Sequence, residues 1–304
     1  MRLWSSIICY LFLALPVVYA QEGRFVSGVE RWQKQGGIRV GVSENFPPLA
    51  YVDREKNIWG YLPEVCARVI EIAKQQWQLP QLRFIPVLTS NTSTSLVPQS
   101  GAELDLDCSG NSAKYNGIYE RRSLFSLPVY VAPIRALVRQ EARIRSLEDM
   151  TGSKIVTVAG TAHERYIKSY AVLRGIHLRL SVVRNLNEAF NLLANAQVDA
   201  IISDEISLLS LLAASGQRDT YGLVKEQFAV ETYRIAIPSG EESLKKIVDT
   251  ALLSLIQSQQ LDAIHRRWFM SPLPSLGVNL RMPVNMAFRG YLQNPSDVKF
   301  DSKN

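Results

Sequence analysis

Short apolar runs of strand length alternate along the chain with longer segments in which hydrophobic residues recur at helical spacing. Residues 33–50 contain a glycine break and then a strand that ends in a Pro-Pro turn. After residues 60–64, an amphipathic helical pattern follows to about Trp77. Another strand is predicted near residues 82–87. This alternation of strand and helix predicts an α/β fold.

A second group of predicted elements begins at residues 154–158, an apolar run that predicts a buried strand. A Gly-Thr turn at Gly160 and Thr161 and a helix start follow it. The other predicted elements are a strand at 134–139, a short helix at 146–152, strand and helix pairs at 182–193 and 198–213, an extended run at 231–238, and a helix from 242 through 269.

Residues 104–133 carry the densest candidate chemistry. They run as a short alternating strand, a loop of small polar residues, the pair Arg121 and Arg122, and an extended apolar run interrupted by Pro128 and Pro133. Small polar residues at a strand end expose N–H groups and hydroxyls, and a guanidinium adds a planar set of donors that matches a carboxylate. The stretch therefore predicts a binding site for a small anion.

These motifs, in this order, resemble those of a known family. The central stretch contains Glu120-Arg121 and then Phe-Ser-x-Pro-x-Tyr at 125–130, while the earlier part contains Ile-x-Val-Gly-Val at 38–42, Pro-Pro, Tyr51, and Gly-Tyr-x-x-Glu at 60–64. Together they resemble family 3 of the periplasmic solute-binding proteins, which serve amino-acid ABC transporters. The last thirty residues resemble the C-terminal extension of the glutamate/aspartate-binding subgroup, so the resemblance covers nearly the whole mature chain.

The resemblance implies an α/β, two-lobed periplasmic-binding-protein-like fold of type II with two crossover hinge strands. The first lobe would comprise residues 29–131 and 232–304, and the second lobe residues 134–231. We expect no single sheet to run continuously through both lobes. The ligand would bind between the lobes, which would close around it by a hinge motion.

The resemblance also implies roles for individual residues. In the family an arginine binds the α-carboxylate of the ligand, and here the longer loop before it leaves open whether Arg121 or Arg122 does so. The helix start at Thr161 matches the family's second-lobe anion site. Asp204 matches the aspartate that holds the ligand's ammonium group. An N-cap role is the alternative for Asp204. The full set of candidate ligand-binding residues is Ser43, Tyr51, Ser90, Ser93, Ser109, Asn111, Ser112, Arg121, Arg122, Thr161, Ala162 and Asp204.

Two groups of these candidates have structural alternatives. Tyr51, with Phe46, could simply plug the end of the first strand. The Thr/Ser-rich loop at 89–95, which contains Ser90 and Ser93, could act as a helix N-cap.

The chain departs from the glutamate/aspartate subgroup at three positions that bind the acidic side chain. Ser43, Ser93 and Leu186 stand where the subgroup has two arginines and a histidine, and no Lys or Arg occurs within 40–53 or 84–113. Because an unpaired buried carboxylate is costly, we expect a small amino acid with a polar or modestly apolar side chain, or a close analogue. The residues that could restore the missing charge from elsewhere are Arg135, Arg184 and Arg234.

Composition and charge narrow the function further. The 304 residues are 47% hydrophobic and 20% charged, as in ordinary globular proteins. The formal net charge is +6, but the basic residues are scattered along the chain, which argues against nucleic-acid binding. The three histidines, His163, His177 and His265, lie far apart with no carboxylate or thiol at ligand spacing, so no metal or other cofactor is predicted. We expect a monomer.

Residues 1–20 have the pattern of a secretory signal peptide. Arg2 precedes an apolar run that ends in Val-Tyr-Ala at 18–20, a cleavage-site pattern, and a retained membrane anchor is the alternative. Cys9 precedes most of the apolar run, which argues against a lipid anchor. We therefore expect a periplasmic protein that delivers its ligand to an ABC permease in the inner membrane. In that compartment Cys66 and Cys108 could form a disulfide or remain free.

Two other functions remain alternatives. The first is a sensory or partner-binding module that binds a ligand without transporting it. The second is an enzyme similar to cyclohexadienyl dehydratases of the same fold, with Glu44 or Glu120 as acid or base. We predict a binding protein and no catalytic residues.

Overall fold

The computed structural model describes residues 32, 34, 36–89, 104–110 and 123–297. The strands are β1 (Gly37–Ser43), β2 (Asn45–Phe46), β3 (Ala50–Val52), β4 (Ile58–Trp59), β5 (Arg83–Thr89), β6 (Leu106–Asp107), β7 (Ser123–Arg139), β8 (Lys154–Val158), β9 (Arg179–Val183), β10 (Ala200–Asp204), β11 (Tyr221–Leu223) and β12 (Ala229–Pro238). The helices are α1 (Tyr61–Trp77), α2 (Ala162–Arg174), α3 (Leu186–Ala194), α4 (Glu205–Ser215), α5 (Glu242–Gln257), α6 (Gln260–Phe269) and α7 (Met286–Gln293). The predicted signal peptide lies outside the described residues.

Most predicted elements are confirmed, with two differences. The short helix predicted at 146–152 is a single 3-10 turn, Glu148–Met150. The predicted continuous helix through Phe269 is wrong, because the backbone of Gln259 adopts a left-handed conformation (φ 59°) that separates α5 from α6. Within the described residues, no helix has the length and apolar character needed to cross a bilayer.

The described strands form one large mixed sheet and a small one. The large sheet has the order β5-β1-β6-β12-β7-β10-β8-β9, with β11 paired to β7, and β2, β3 and β4 form the small sheet. Strands β5, β1 and β6 are parallel, as are β10, β8 and β9, while β12 and β7 are antiparallel. The expectation that no sheet would run through both lobes is wrong, because β7 and β12 are long enough to pair with strands of both halves.

The hydrophobic cores nevertheless divide the chain into two lobes. The first core packs β1, α1, the part of β7 through Ala132 and most of β12 against α5, α6 and α7. From Ile134 onward, β7 contributes to the second lobe, where Ala136 belongs to a core on one face of the sheet and Leu137 to a core on the other. Pro133 separates the two parts of β7. The predicted residue limits of the lobes remain a prediction.

A disulfide joins Cys66 in α1 to Cys108, which follows β6, with their Cα atoms 6.6 Å apart. Both cysteines are buried in the first core. The bond therefore attaches the segment after β6 to α1. This segment leads toward the polar loop that is predicted to bind ligand.

An aromatic cluster forms the centre of the first core. The rings of Tyr130 and Phe269 stack with centroids 5.2 Å apart, and His265 stacks on Phe269 at 4.5 Å. His265 is fully buried, and neither of its ring nitrogens has a hydrogen-bond partner among the described residues. Burial therefore lowers the pKa of His265 from 6.5 to about 4.

Removing the disulfide should destabilise the protein without changing its fold. We expect the double variant Cys66→Ala/Cys108→Ala to lose about 2–4 kcal/mol of unfolding free energy, because the unfolded chain regains the freedom of the closed loop. Urea unfolding of the variant and of wild type, each with and without reductant, measures this. The reductant should affect only wild type, and two free thiols in the intact mass of unreduced wild type would contradict the assignment.

Acid should destabilise the first lobe through His265. At His265 the unfolded chain binds a proton near pH 6.5, whereas the folded chain binds it only near pH 4. The stability that depends on neutral His265 is therefore fully present above pH 6.5. It falls by up to about 3 kcal/mol as the pH drops toward 4. Urea unfolding as a function of pH should show this loss in wild type. The control variant His177→Gln, which replaces an exposed histidine, should show the same loss. His265→Phe should lose less stability over the same range; an unchanged pH dependence in that variant would contradict the role of His265.

Candidate functional site

The carboxyl ends of three first-lobe strands lie side by side. The register pairs Ser43 at the end of β1 with Thr89 at the end of β5, and Gly41 with Asp107 at the end of β6. The backbone N–H of Ser109 donates to the Asp107 carboxylate at 2.9 Å. These strand ends form a polar edge of buried side chains, in the position where parallel sheets bind ligands.

Thr89 is a member of this edge that was not among the predicted site residues. Its side chain is buried, and its hydroxyl has no hydrogen-bond partner among the described residues. An unsatisfied buried hydroxyl at a strand end is a candidate ligand contact. The sequence showed only a threonine at the start of a Ser/Thr-rich loop, which could not be distinguished from a capping residue.

The second lobe contributes the start of helix α2. Thr161 is its N-cap: the hydroxyl accepts a hydrogen bond from the Glu164 N–H at 3.3 Å and donates to the Val158 carbonyl at 2.7 Å. Ala162 is the first helical residue and is buried. Because the first N–H groups of a helix lack intrahelical acceptors, this turn can receive an anion.

Asp204 ends β10 beside this helix start. Its Oδ1 accepts a hydrogen bond from the Ser207 N–H at 2.9 Å, so it serves as the N-cap of α4. Its Oδ2 points elsewhere and lies 3.6 Å from His163 Nε2. The capping role and a second role for Asp204 are therefore compatible, because they use different oxygen atoms.

His163 joins Asp204 and Glu231 in what we call the His163 cluster. His163 Nε2 lies 2.7 Å from Glu231 Oε2, and one ligand atom from each of the three residues lies within 4.8 Å of the others. All three side chains are buried. Elements α2, β10 and β12 bring together positions that are distant in sequence. The spacing of the histidines along the chain therefore does not exclude a metal centre at His163.

Tyr233, whose ring lies in the first core, forms a side-chain hydrogen bond with Asp204 of the second lobe. Tyr233 of β12 is buried, and its pKa is raised well above 10.0 by burial and by the charges of Asp204 and Glu231. The ring of Phe46, which follows β1, lies 6.3 Å from the Tyr233 ring.

Gly110 lies against the same Phe46 ring. A Cβ on Gly110 would meet Phe46 at 3.1 Å, and Gly110 has a φ of 85°, so only glycine lets the backbone after Ser109 pass this close to the ring.

The family model for bacterial extracellular solute-binding proteins, family 3, matches residues 38–271. This chain belongs to that family. It is 27% identical to the L-glutamate/L-aspartate-binding protein of Pseudomonas aeruginosa over 97% of this chain and 96% of that protein. It is also 22% identical to the L-cystine-binding protein TcyJ of Escherichia coli over 83% of this chain and 88% of that protein.

Solved structures agree on the type II binding-protein fold. An ABC uptake transporter substrate-binding protein from Streptococcus pneumoniae with bound histidine superposes with a TM-score of 0.62 at 17% identity, covering 80% of this chain and 96% of that one. An ancestral arginine-binding protein bound to arginine superposes with a TM-score of 0.59 at 24% identity, covering 77% and 98%.

Tyr51 has structural contacts within the first lobe. It is buried in the first core, its hydroxyl donates to the Pro274 carbonyl at 2.9 Å, and its ring packs edge-on against Trp268. The C-terminal extension thus supplies its partner. These contacts fit the structural alternative, and a ligand contact by Tyr51 stays a prediction.

The three arginines considered as replacements for the missing charge are engaged or exposed. Arg135 Nε lies 3.2 Å from Glu205 Oε1, close enough for an ion pair although the angle does not make a hydrogen bond. Arg234 pairs with Asp297 at 2.6 Å, and Arg184 is exposed at the end of β9.

The remaining site predictions fall into two groups. Leu186 is the first residue of α3 and packs against a second-lobe core. Six predicted site residues lie outside the described residues: Ser90, Ser93, Asn111, Ser112, Arg121 and Arg122.

An open groove of about 500 Å³ lies elsewhere in the second lobe, lined by the loop after β7. Two of its charged residues, Arg139 and Asp199, are already used by the fold. Arg139 donates to the carbonyls of Leu193 and Ala194, and the Asp199 carboxylate accepts from the Lys154 N–H at 2.8 Å. The groove shares no residue with the polar strand ends described above.

Proposed function

We propose that this family 3 protein is the solute-binding component of an ABC importer and binds a small amino acid, or a close analogue, between its two lobes. The observation that carries the proposal is the convergence of polar groups from both lobes. Ser43 and Ser109 lie at strand ends of the first lobe, and Thr161 and Asp204 lie at the corresponding ends of the second. The side-chain hydrogen bond between Tyr233 of the first core and Asp204 supports placing the two edges near each other.

The chemistry of these groups suits the two ends of an amino acid. The start of α2 at Thr161 offers N–H groups to a carboxylate, and Arg121 or Arg122 would complete the binding from the first lobe. The Oδ2 of Asp204 is turned away from its capping contact and is available to an ammonium group.

The side-chain pocket is proposed to be neutral. Ser43 is buried at the position where the glutamate/aspartate subgroup has an arginine, and the described arginines Arg135 and Arg234 already pair with carboxylates. Losing charge-assisted hydrogen bonds at about 1.5–3 kcal/mol each would weaken an acidic ligand by orders of magnitude. We therefore propose weak binding of glutamate and aspartate, although relatives at 27% and 21% identity carry those names.

We further propose that the protein works as a monomer in the periplasm, after cleavage of residues 1–20, and delivers its ligand to a membrane permease. Membership of an extracellular solute-binding family supports the compartment. Binding is favoured over catalysis, since Glu44, one of the two acid–base candidates, is exposed beyond the end of β1.

A screen of the twenty common amino acids by calorimetry tests the ligand class. We expect tightest binding by a small polar or modestly apolar amino acid, because the pocket lacks a cation for an acidic side chain. Glutamate and aspartate should bind at least about 100-fold more weakly, which corresponds to about 2.7 kcal/mol. Tightest binding by either acid would contradict the neutral pocket, and no binding by any amino acid would contradict the proposed ligand class.

Two substitutions of Asp204 separate its capping role from its binding role. Asp204→Asn keeps the cap, because asparagine caps helices as well as aspartate, but removes the charge that holds the ammonium. We expect it to unfold at nearly the wild-type urea concentration and to lose amino-acid binding. Asp204→Ala should lose binding and about 1 kcal/mol of stability. Wild-type affinity in the Asn variant would contradict the proposed role.

A further inference from the structure

The His163 cluster has the spacing of a metal site. His163 Nε2 lies 2.7 Å from Glu231 Oε2 and 3.6 Å from Asp204 Oδ2, and all three ligand atoms lie within 4.8 Å of one another. Three donors bound tetrahedrally to one Zn²⁺ ion at about 2.1 Å lie about 3.4 Å apart. The observed spacings bracket that value, so small movements of the side chains would place all three around one ion.

The charges in the cluster are unbalanced. Two buried carboxylates face one imidazole, and among the described residues no Lys or Arg lies within 4.0 Å of Asp204 or Glu231. Among the described residues, even a protonated His163 would leave one negative charge without a cation, because the hydrogen bond from Tyr233 to Asp204 is neutral. Buried charges are paired or bind metal ions, because isolated ones are strongly disfavoured.

Neighbouring contacts hold two of the three donors in position. The Ser207 N–H binds Asp204 Oδ1 and so leaves Oδ2 directed at His163. The Ser203 hydroxyl lies 3.4 Å from His163 Nδ1 and can accept a proton from that nitrogen, which would free Nε2 to bind a metal ion. Such outer contacts are typical of metal-binding histidines.

From this geometry we propose that His163, Asp204 and Glu231 bind a divalent transition-metal ion. One imidazole and two carboxylates suit Zn²⁺, and a fourth coordination position would remain for water or another ligand. The site goes beyond the proposed amino-acid function and does not rest on it. The two share Asp204 Oδ2, so bound metal and a bound ammonium group would compete for that atom.

Calorimetric titration of the chelator-treated full protein with ZnCl₂ tests the site. We expect one Zn²⁺ per chain, and we expect His163→Ala and Glu231→Gln each to weaken binding by about 100-fold or more, since even changes to outer contacts cost about 10–100-fold. Glu231→Gln preserves side-chain volume, and thermal unfolding of each variant shows that it is folded. Titration with Co²⁺ adds a visible spectrum that reports coordination by the protein.

His177→Ala is the matched control, because this exposed histidine lies in the same lobe outside the cluster. It should bind Zn²⁺ as wild type does. Absence of Zn²⁺ binding by wild type would overturn the metal site, as would wild-type affinity in folded His163→Ala and Glu231→Gln. Amino-acid binding is measured separately on chelator-treated wild type, so failure of the metal site and failure of the proposed function give different results.

Discussion

The antiparallel pairing of β7 with β12 is the constraint on which the rest of the structure depends. β7 is 17 residues long, pairs with β12 from Ser123 to Ile134, and continues into the second lobe as the partner of β10 and β11. This pair carries the chain between lobes twice. Because both strands are shared, they tie the two lobes together, and we propose that the polar strand ends of the lobes face the same space.

The pairing also has local weaknesses that suit a hinge. Pro128 and Pro133 lie within β7 and have no N–H to donate to the ladder, and the register of the pair shifts on either side of Arg234. The cores change over at Pro133, between Ala132 and Ile134. A bend at Pro133 would preserve most of the packing within each lobe, although Ile206 of α4 packs in the first core. This is the physical basis for expecting the lobes to move as units.

Much of this arrangement could be predicted from local sequence. The apolar run before Gly160 and the cap at Thr161 predicted β8 and the start of α2, since a strand, a turn and a capping residue are all set by nearby residues. The Phe-Ser-x-Pro-x-Tyr motif predicted a crossover because of its resemblance to a family. Asp204 was predicted as a cap or an ammonium ligand, and the structure shows the first role while leaving an oxygen for the second.

The missed features depend on contacts between distant segments. His163, Asp204 and Glu231 come together only because α2, β10 and β12 meet, and no spacing along the chain indicates this. The contact of Tyr51 with Pro274 likewise joins residues more than two hundred positions apart, and the motif around Tyr51 does not indicate it. The continuous sheet was missed because a motif shows where the chain crosses between lobes but not how far the crossing strands remain paired.

Closure of the two lobes around a ligand is the central claim of this account. Small-angle X-ray scattering of the purified protein, with and without a saturating concentration of its tightest-binding amino acid, tests it most directly. The account predicts a smaller radius of gyration with ligand, because the lobes rotate together about β7 and β12. Identical scattering profiles in the two states, with binding confirmed by calorimetry on the same sample, would contradict it.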